Sequence, residues 1–153
     1  MGVHSKLKEI QKKLKAPKNQ KNAFGGYNYR SAEDVLEAVK PLLYEQNCTL
    51  TINDDMVPII DSVYVKASAT LTDCESGEQV TATAYAREQE TAKGATAPQL
   101  TGACSSYARK YAMNGLFCID DNKDADATNT GKEQAPPVRR SRRKIKVDET
   151  CPF

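Results

Sequence analysis

From Val63 to Arg87 the chain alternates apolar and polar residues, and that period of two most limits what it can fold into. Val63, Val65, Ala67, Ala69 and Leu71 share one face of an extended segment; Tyr64, Lys66, Ser68, Thr70 and Thr72 share the other. A second run sets Val80, Ala82, Ala84 and Ala86 opposite Thr81, Thr83, Tyr85 and Arg87. Side chains alternate sides along a strand, so both runs read as antiparallel strands with one buried face. Asp73-Cys74-Glu75-Ser76-Gly77-Glu78 supplies the hairpin turn between them. Thr49 to Ile52, reaching at the outside to Val57, is a further strand. The small alanines on the buried face let a helix pack closely.

Three helical segments flank these strands. Leu7, Ile10 and Leu14 recur among lysines from Val3 to Lys15, which predicts a short basic amphipathic helix ended by Pro17. Docking on the core and direct contact with nucleic acid fit that helix equally well. Ser31-Ala32-Glu33-Asp34 has the form of a capping box, and Val35, Leu36, Val39, Leu42 and Leu43 give one apolar face. A helix is expected from about Ala32 to Glu45, kinked or ended in its regular part by Pro41. Pro98 suits the first turn of a third helix, with Leu100, Cys104, Tyr107, Ala108 and Tyr111 as its apolar stripe and Gly115 to close it. The fold class expected is α+β, a three-stranded antiparallel sheet packed against helices.

At 153 residues, with 39% hydrophobic and 27% charged content, one folded domain plus a solvated end is expected. From about Ala127 the chain is polar, with Pro136-Pro137 before a basic cluster, and disorder is predicted there. The division is thus a domain over 1–126 and a basic tail over 127–153. No apolar stretch suits a membrane span and no secretory signal is visible. Five scattered cysteines without CxxC spacing argue against a zinc site or a disulfide framework and favour a cytoplasmic location.

Charge is segregated along the chain. Residues 1–30 hold seven Lys and one Arg against one Glu; residues 31–130 hold seven basic and sixteen acidic groups; residues 131–153 hold seven basic and three acidic. Basic ends with tyrosines nearby suggest a polyanion with exposed bases. Tyr27 and Tyr29 lie between Lys21 and Arg30, and as residues i and i+2 of a strand they share a face. Bases stack on such rings without sequence preference, though core or sheet-face tyrosines fit the spacing too. Lys93, Arg109 and Lys110 would add phosphate contacts, or else form a solvated helix face. Arg139, Arg140, Arg142, Arg143, Lys144 and Lys146 would be an auxiliary DNA-binding arm.

Catalysis finds little support. The lone His4 lies in an N-terminus expected to fray, and no P-loop occurs, so no nucleophile–base set and no NTP site are expected. Asp120, Asn122 and Asp124 open like a calcium loop, but Ala125 stands where Gly is needed and Gly131 where a bidentate Glu belongs. No metal or cofactor is expected. A small metal-dependent nuclease using Asp120, Asp121, Asp124 and Asp126 is a rival reading.

The last residues, Val147 to Phe153, are acidic and then apolar. They resemble the acidic tip of bacterial single-stranded DNA-binding proteins, which ends in Pro-Phe. By that resemblance Pro152 and Phe153 would dock on host replication or recombination proteins, with the ring in a pocket and the carboxylate held by a base. Cys151 departs from the usual aliphatic residue. A tip that folds back on the Arg139–Lys146 cluster and competes with DNA is the internal alternative.

Two longer stretches resemble the essential recombination function (ERF) family of phage single-strand annealing proteins. The first runs Phe24-Gly25-Gly26-Tyr27-Asn28-Tyr29-Arg30-Ser31-Ala32-Glu33-Asp34-Val35-Leu36 and on to Lys40-Pro41-Leu42-Leu43. The second runs from Gly102 to Phe117 through Ser105-Ser106-Tyr107-Ala108-Arg109-Lys110-Tyr111, with Asp120-Asp121 and Asp124-Ala125-Asp126 behind it. The resemblance covers roughly 3–126, leaves the tail outside, and departs at Cys104, where a polar or small residue is expected. It implies a β-β-β-α core, single-stranded DNA binding, ATP-independent annealing of complementary strands, and homo-oligomeric rings or helical filaments. A protein that coats and protects single strands without annealing them is the alternative function.

Overall fold

The computed structural model describes residues 1–120 apart from Phe24, Gly25, Tyr27 and Ala92. Tyr27, the acidic positions Asp121, Asp124 and Asp126, the basic cluster Arg139, Arg140, Arg142, Arg143, Lys144 and Lys146, and the tip Pro152–Phe153 lie outside the described residues. The elements are α1 (Val3–Lys13), β1 (Gln20–Lys21), β2 (Asn28–Tyr29), α2 (Ala32–Glu45), β3 (Cys48–Ile59), β4 (Ser62–Asp73), β5 (Gln79–Arg87) and α3 (Ala97–Phe117). β3, β4 and β5 form an antiparallel sheet in that order, and β1 and β2 form a separate two-stranded ladder. The expected α+β fold with a β-β-β-α core is what the chain adopts.

The alternation read from the sequence sets the two sheet faces. Val65, Ala67, Ala69 and Leu71 of β4 are buried toward the helices. Across the register stand Leu50 and Ile52 of β3 and Val80, Ala82, Ala84 and Ala86 of β5. The alanines let α3 lie close across β4 and β5, and Phe117, Met113, Ile10, Val35 and Val39 close the core between the helices. Val63 shares the expected face but not its burial: at 40% exposure it lies near the turn, short of helix cover.

β3 is longer than the sequence suggests, running to Ile59 through Asp54, Asp55 and Pro58. It is an edge strand, so Pro58 can lack an amide hydrogen without breaking a ladder. Ile59 pairs with Ser62 across a two-residue turn in which Ile60 has φ 53. The second turn follows expectation, with Gly77 at φ 73 and its N–H donating to the Asp73 carbonyl at 2.9 Å.

The helices bring two corrections. The N-terminus is docked rather than frayed: Val3 is 2% exposed and its N–H donates to Glu78 Oε2 at 3.1 Å. Lys6 is buried with the core residues of α1, its ammonium donating to Asp73 Oδ1 at 2.6 Å and Glu75 Oε2 at 3.3 Å. Asp73 therefore closes the buried face of β4 as well as opening the turn. The Lys6 ammonium and the Glu75 amide hold its carboxyl down to about 2, outweighing the opposing effect of burial. Lys8, Lys12 and Lys13 stay exposed, so α1 is both docked and basic on its outer side.

α2 carries the capping box in full: Asp34 N–H donates to Ser31 Oγ at 3.1 Å, and Ser31 N–H donates to Asp34 Oδ2 at 2.7 Å. The helix continues through Pro41 to Glu45, because Pro41 is exposed and the carbonyl it leaves unbonded can turn to water. α3 ends two residues beyond Gly115, with Cys118 taking the left-handed cap at φ 54.

Candidate nucleic-acid interface

The sequence segment Gly102–Phe117 becomes most of α3. Cys104, Ala108 and Ala112 repeat every fourth residue along its buried stripe. Cys104 fits because its thiol donates to the Ala86 carbonyl at 3.2 Å; burial pushes that thiol's pKa up. A step of about 100° per residue puts Tyr107 and Tyr111 nearly opposite Ser105 and Arg109. The two flanks therefore do different work.

Tyr107 and Tyr111 are 55% and 44% exposed, so they do not belong to the apolar stripe where the sequence placed them. Their ring centroids are 6.1 Å apart and the planes are tilted by 42°. Lys110 Nζ sits 5.1 Å from the first centroid and 5.4 Å from the second. Attraction between the ammonium and the ring faces ties the two exposed rings and the half-buried Lys110 into one unit. It offers a positive charge for a phosphate and aromatic surface for a base.

On the other flank, Arg109 reaches Asp54 of β3. Its Nε donates to Oδ1 at 3.1 Å and Oδ2 at 2.9 Å, and Nη2 lies 2.8 Å from Oδ2. Ser105 Oγ donates to the same carboxylate. Burial opposes ionisation of Asp54, but these hydrogen bonds and the guanidinium charge outweigh it and hold the carboxyl below its ordinary range. Arg109 is thus tied across from α3 to β3.

The remaining candidates fall elsewhere. Lys21 pairs with Asn28 and Gln20 with Tyr29 in the β1–β2 ladder. Cross-strand partners share a face, so Lys21 and Tyr29 emerge on opposite sides of this small hairpin. Gln20 Nε2 donates to Asp34 Oδ1 at 3.2 Å, which fastens the hairpin to the start of α2. Tyr29 is 39% exposed and Arg30 is half-buried just before the capping Ser31. Lys93 is exposed in the loop before α3, beside Gly94 at φ 83. The structure therefore joins Lys21 to Tyr29 through one hairpin and Arg109 to Lys110 through one helix.

Sequence reasoning missed Tyr107 and Tyr111 as surface groups. The signal was present, since both lie off the arc defined by Cys104, Ala108 and Ala112. Among the described residues, no three His, Cys, Asp or Glu side chains gather in a way that could hold a metal ion. Of the acidic run, Asp120 alone is described. Among the same residues no helix is long and apolar enough to cross a membrane.

A family model described as the ERF superfamily matches residues 3–150. That match extends well past Asp126, where the sequence resemblance was placed to stop, and takes in most of the tail. The "Essential recombination function protein" of Salmonella phage P22 is 54% identical over 140 residues, which cover 91% of this chain and 66% of that protein. The chain thus spans just under two thirds of that relative's length. No solved structure matches it.

Proposed function

This chain belongs to the ERF superfamily, and from that premise we propose that it binds single-stranded DNA and pairs complementary strands without ATP during phage homologous recombination. The observation that carries this reading is the pair of exposed rings Tyr107 and Tyr111 on α3 with the half-buried Lys110 against both of them. Aromatic faces beside a cation suit an unpaired strand, which offers both base faces and phosphates, better than a duplex, which hides the faces.

In this mechanism the protein supplies no bond chemistry. Basic side chains track one strand's phosphates and leave its base edges open. Lys21, Arg30, Lys93 and Lys110 supply charge, and Tyr27 and Tyr29 supply stacking surface. Arg109 joins them only when it leaves Asp54. Several subunits, in a ring or a helical filament, hold the strand extended so that a complement can test register without first melting hairpins. Pairing speeds up because the entropy of alignment is met in advance and strand repulsion is screened. The basic tail at Arg139, Arg140, Arg142, Arg143, Lys144 and Lys146 acts as an auxiliary arm, and Pro152–Phe153 recruits host replication or recombination proteins.

The test is the rate at which two complementary fluorescent oligonucleotides pair, with no nucleotide present. Pairing well above the spontaneous rate supports annealing. Binding that slows pairing would instead assign the protecting role, and absence of binding would remove both.

A further inference from the structure

The sheet face turned away from the helices is open and polar along most of its length. Thr70 and Thr81 bond across it through their hydroxyls at 2.9 Å. Toward the end where β5 leaves the sheet its chemistry changes. Tyr64 stands directly opposite Arg87, and Lys66 directly opposite Tyr85. The result is a four-residue checkerboard in which each tyrosine is flanked by a cation. Tyr85 is 48% exposed and Arg87 is exposed. Lys66 and Arg87 enter no ion pair among the described residues, in contrast to Lys6, Lys13, Lys40 and Arg109. Asp55, opposite Lys66 on β3, limits the basic strip to β4 and β5.

We propose that this checkerboard is a seat for two successive bases of an unpaired DNA strand, a second contact surface on the face opposite α3. The proposal rests on the single-strand binding put forward above and names a surface for it. Charge complementarity selects the occupant: two uncommitted cations beside two ring faces match the phosphates and bases of a polynucleotide. Geometry agrees. Diagonal cross-strand neighbours such as Tyr64 and Tyr85 lie about 7–8 Å apart. That is roughly twice the 3.4 Å per nucleotide of a duplex strand, so the seat favours a stretched strand with unstacked bases. Rings on a rigid sheet lose little freedom when bases settle on them, and the stretched strand is the form that a complement can pair with.

The experiment compares the full chain with Tyr64→Ala, Tyr85→Ala, the ring-keeping double variant Tyr64→Phe/Tyr85→Phe, and Lys66→Gln/Arg87→Gln. Affinity for a labelled oligothymidylate is read by anisotropy across a salt series. Each Tyr→Ala change is expected to weaken binding by roughly five- to a hundred-fold, with the Phe pair close to wild type. The Lys66→Gln/Arg87→Gln variant is expected to flatten the log–log salt slope by about 1.4, for two lost phosphate contacts. The chain has no Trp and seven Tyr, so tyrosine fluorescence provides a second readout. Quenching by DNA is expected to diminish in the Ala variants. Wild-type affinity and slope in every variant would overturn the seat while leaving single-strand binding intact. A wild-type chain that binds no single strand would overturn the parent reading itself. Weakened binding accompanied by a change in solution mass would assign the face to a second copy of the chain, and equal loss of duplex binding would remove the base-stacking role. The Phe and Gln variants retain bulk on the open face, so they decide the matter if an Ala variant fails to fold.

Discussion

Asp54 and Arg109 offer the sharpest separation between a side chain that braces the fold and one that holds DNA. Asp54 is 20% exposed at its side chain and Arg109 is 44% exposed, so solvent screens much of their attraction. The fork-like contact nevertheless restrains α3 against β3. A double-mutant cycle of Asp54→Ala and Arg109→Ala is expected to give a coupling of about 0.5–1 kcal/mol, the upper part of the range for partly exposed pairs. That corresponds to a few degrees in Tm, on the order of 4 °C for a domain of this size. The DNA readout runs the other way. Arg109→Ala removes a charge already neutralised by Asp54, so affinity and salt slope for an oligonucleotide are expected to stay at the wild-type level. Asp54→Ala releases the guanidinium and is expected to steepen the salt slope by up to about 0.7, one added phosphate contact. Denaturant melts and anisotropy titrations on the same four proteins check both halves. Zero coupling, together with a slope flattened by about 0.7 in Arg109→Ala, would refute the brace and make Arg109 a direct phosphate ligand.

Three further expectations concern the fold. The Asp73 carboxyl sits at about 2 against an ordinary 3.8, so the stabilisation it brings is complete above roughly pH 4 and is lost as pH falls toward 2. The Lys6 end is raised from 10.5, which keeps the pair intact through neutral and mildly alkaline pH. The stability gap between wild type and Asp73→Asn is therefore expected to narrow between pH 4 and pH 2, and a gap independent of pH would contradict the pairing. Ser31→Ala removes one side of the capping box and is expected to cost about 1 kcal/mol in denaturant melts; no change would mean that the box does not secure α2. Ile60 is 95% exposed with φ 53, an awkward conformation for a β-branched side chain. Ile60→Asn is expected to raise stability by about 0.5–1 kcal/mol, and a loss would show that the Ile side chain has a partner.

The legible parts of the fold were those in which local chemistry and tertiary need coincide. The alternation of β4 and β5, the Gly77 turn and the Ser31–Asp34 box each announce themselves within a few residues. β3 was less legible, because Asp54, Asp55 and Pro58 interrupt its apolar alternation. What reconciles them is long-range: Arg109 and Ser105 satisfy Asp54, and the edge position tolerates Pro58. Lys6 could not be placed in the core from its own segment, since its partner is 67 residues away in a turn. At the candidate interface, the basic and aromatic composition was visible, but direction was not. Arg109 and Lys110 are adjacent in sequence yet serve different flanks of α3. Tyr64, Lys66, Tyr85 and Arg87 were assigned correctly to the polar face, while their checkerboard depends on a register that only the paired strands reveal.

The most direct measurement is the affinity of the full chain for one sequence presented as a single strand and as a duplex, across a range of salt. The account predicts tighter binding to the single strand, with a log–log slope that reflects several released counterions. Equal or tighter binding to the duplex, or single-strand binding indifferent to salt, would contradict it.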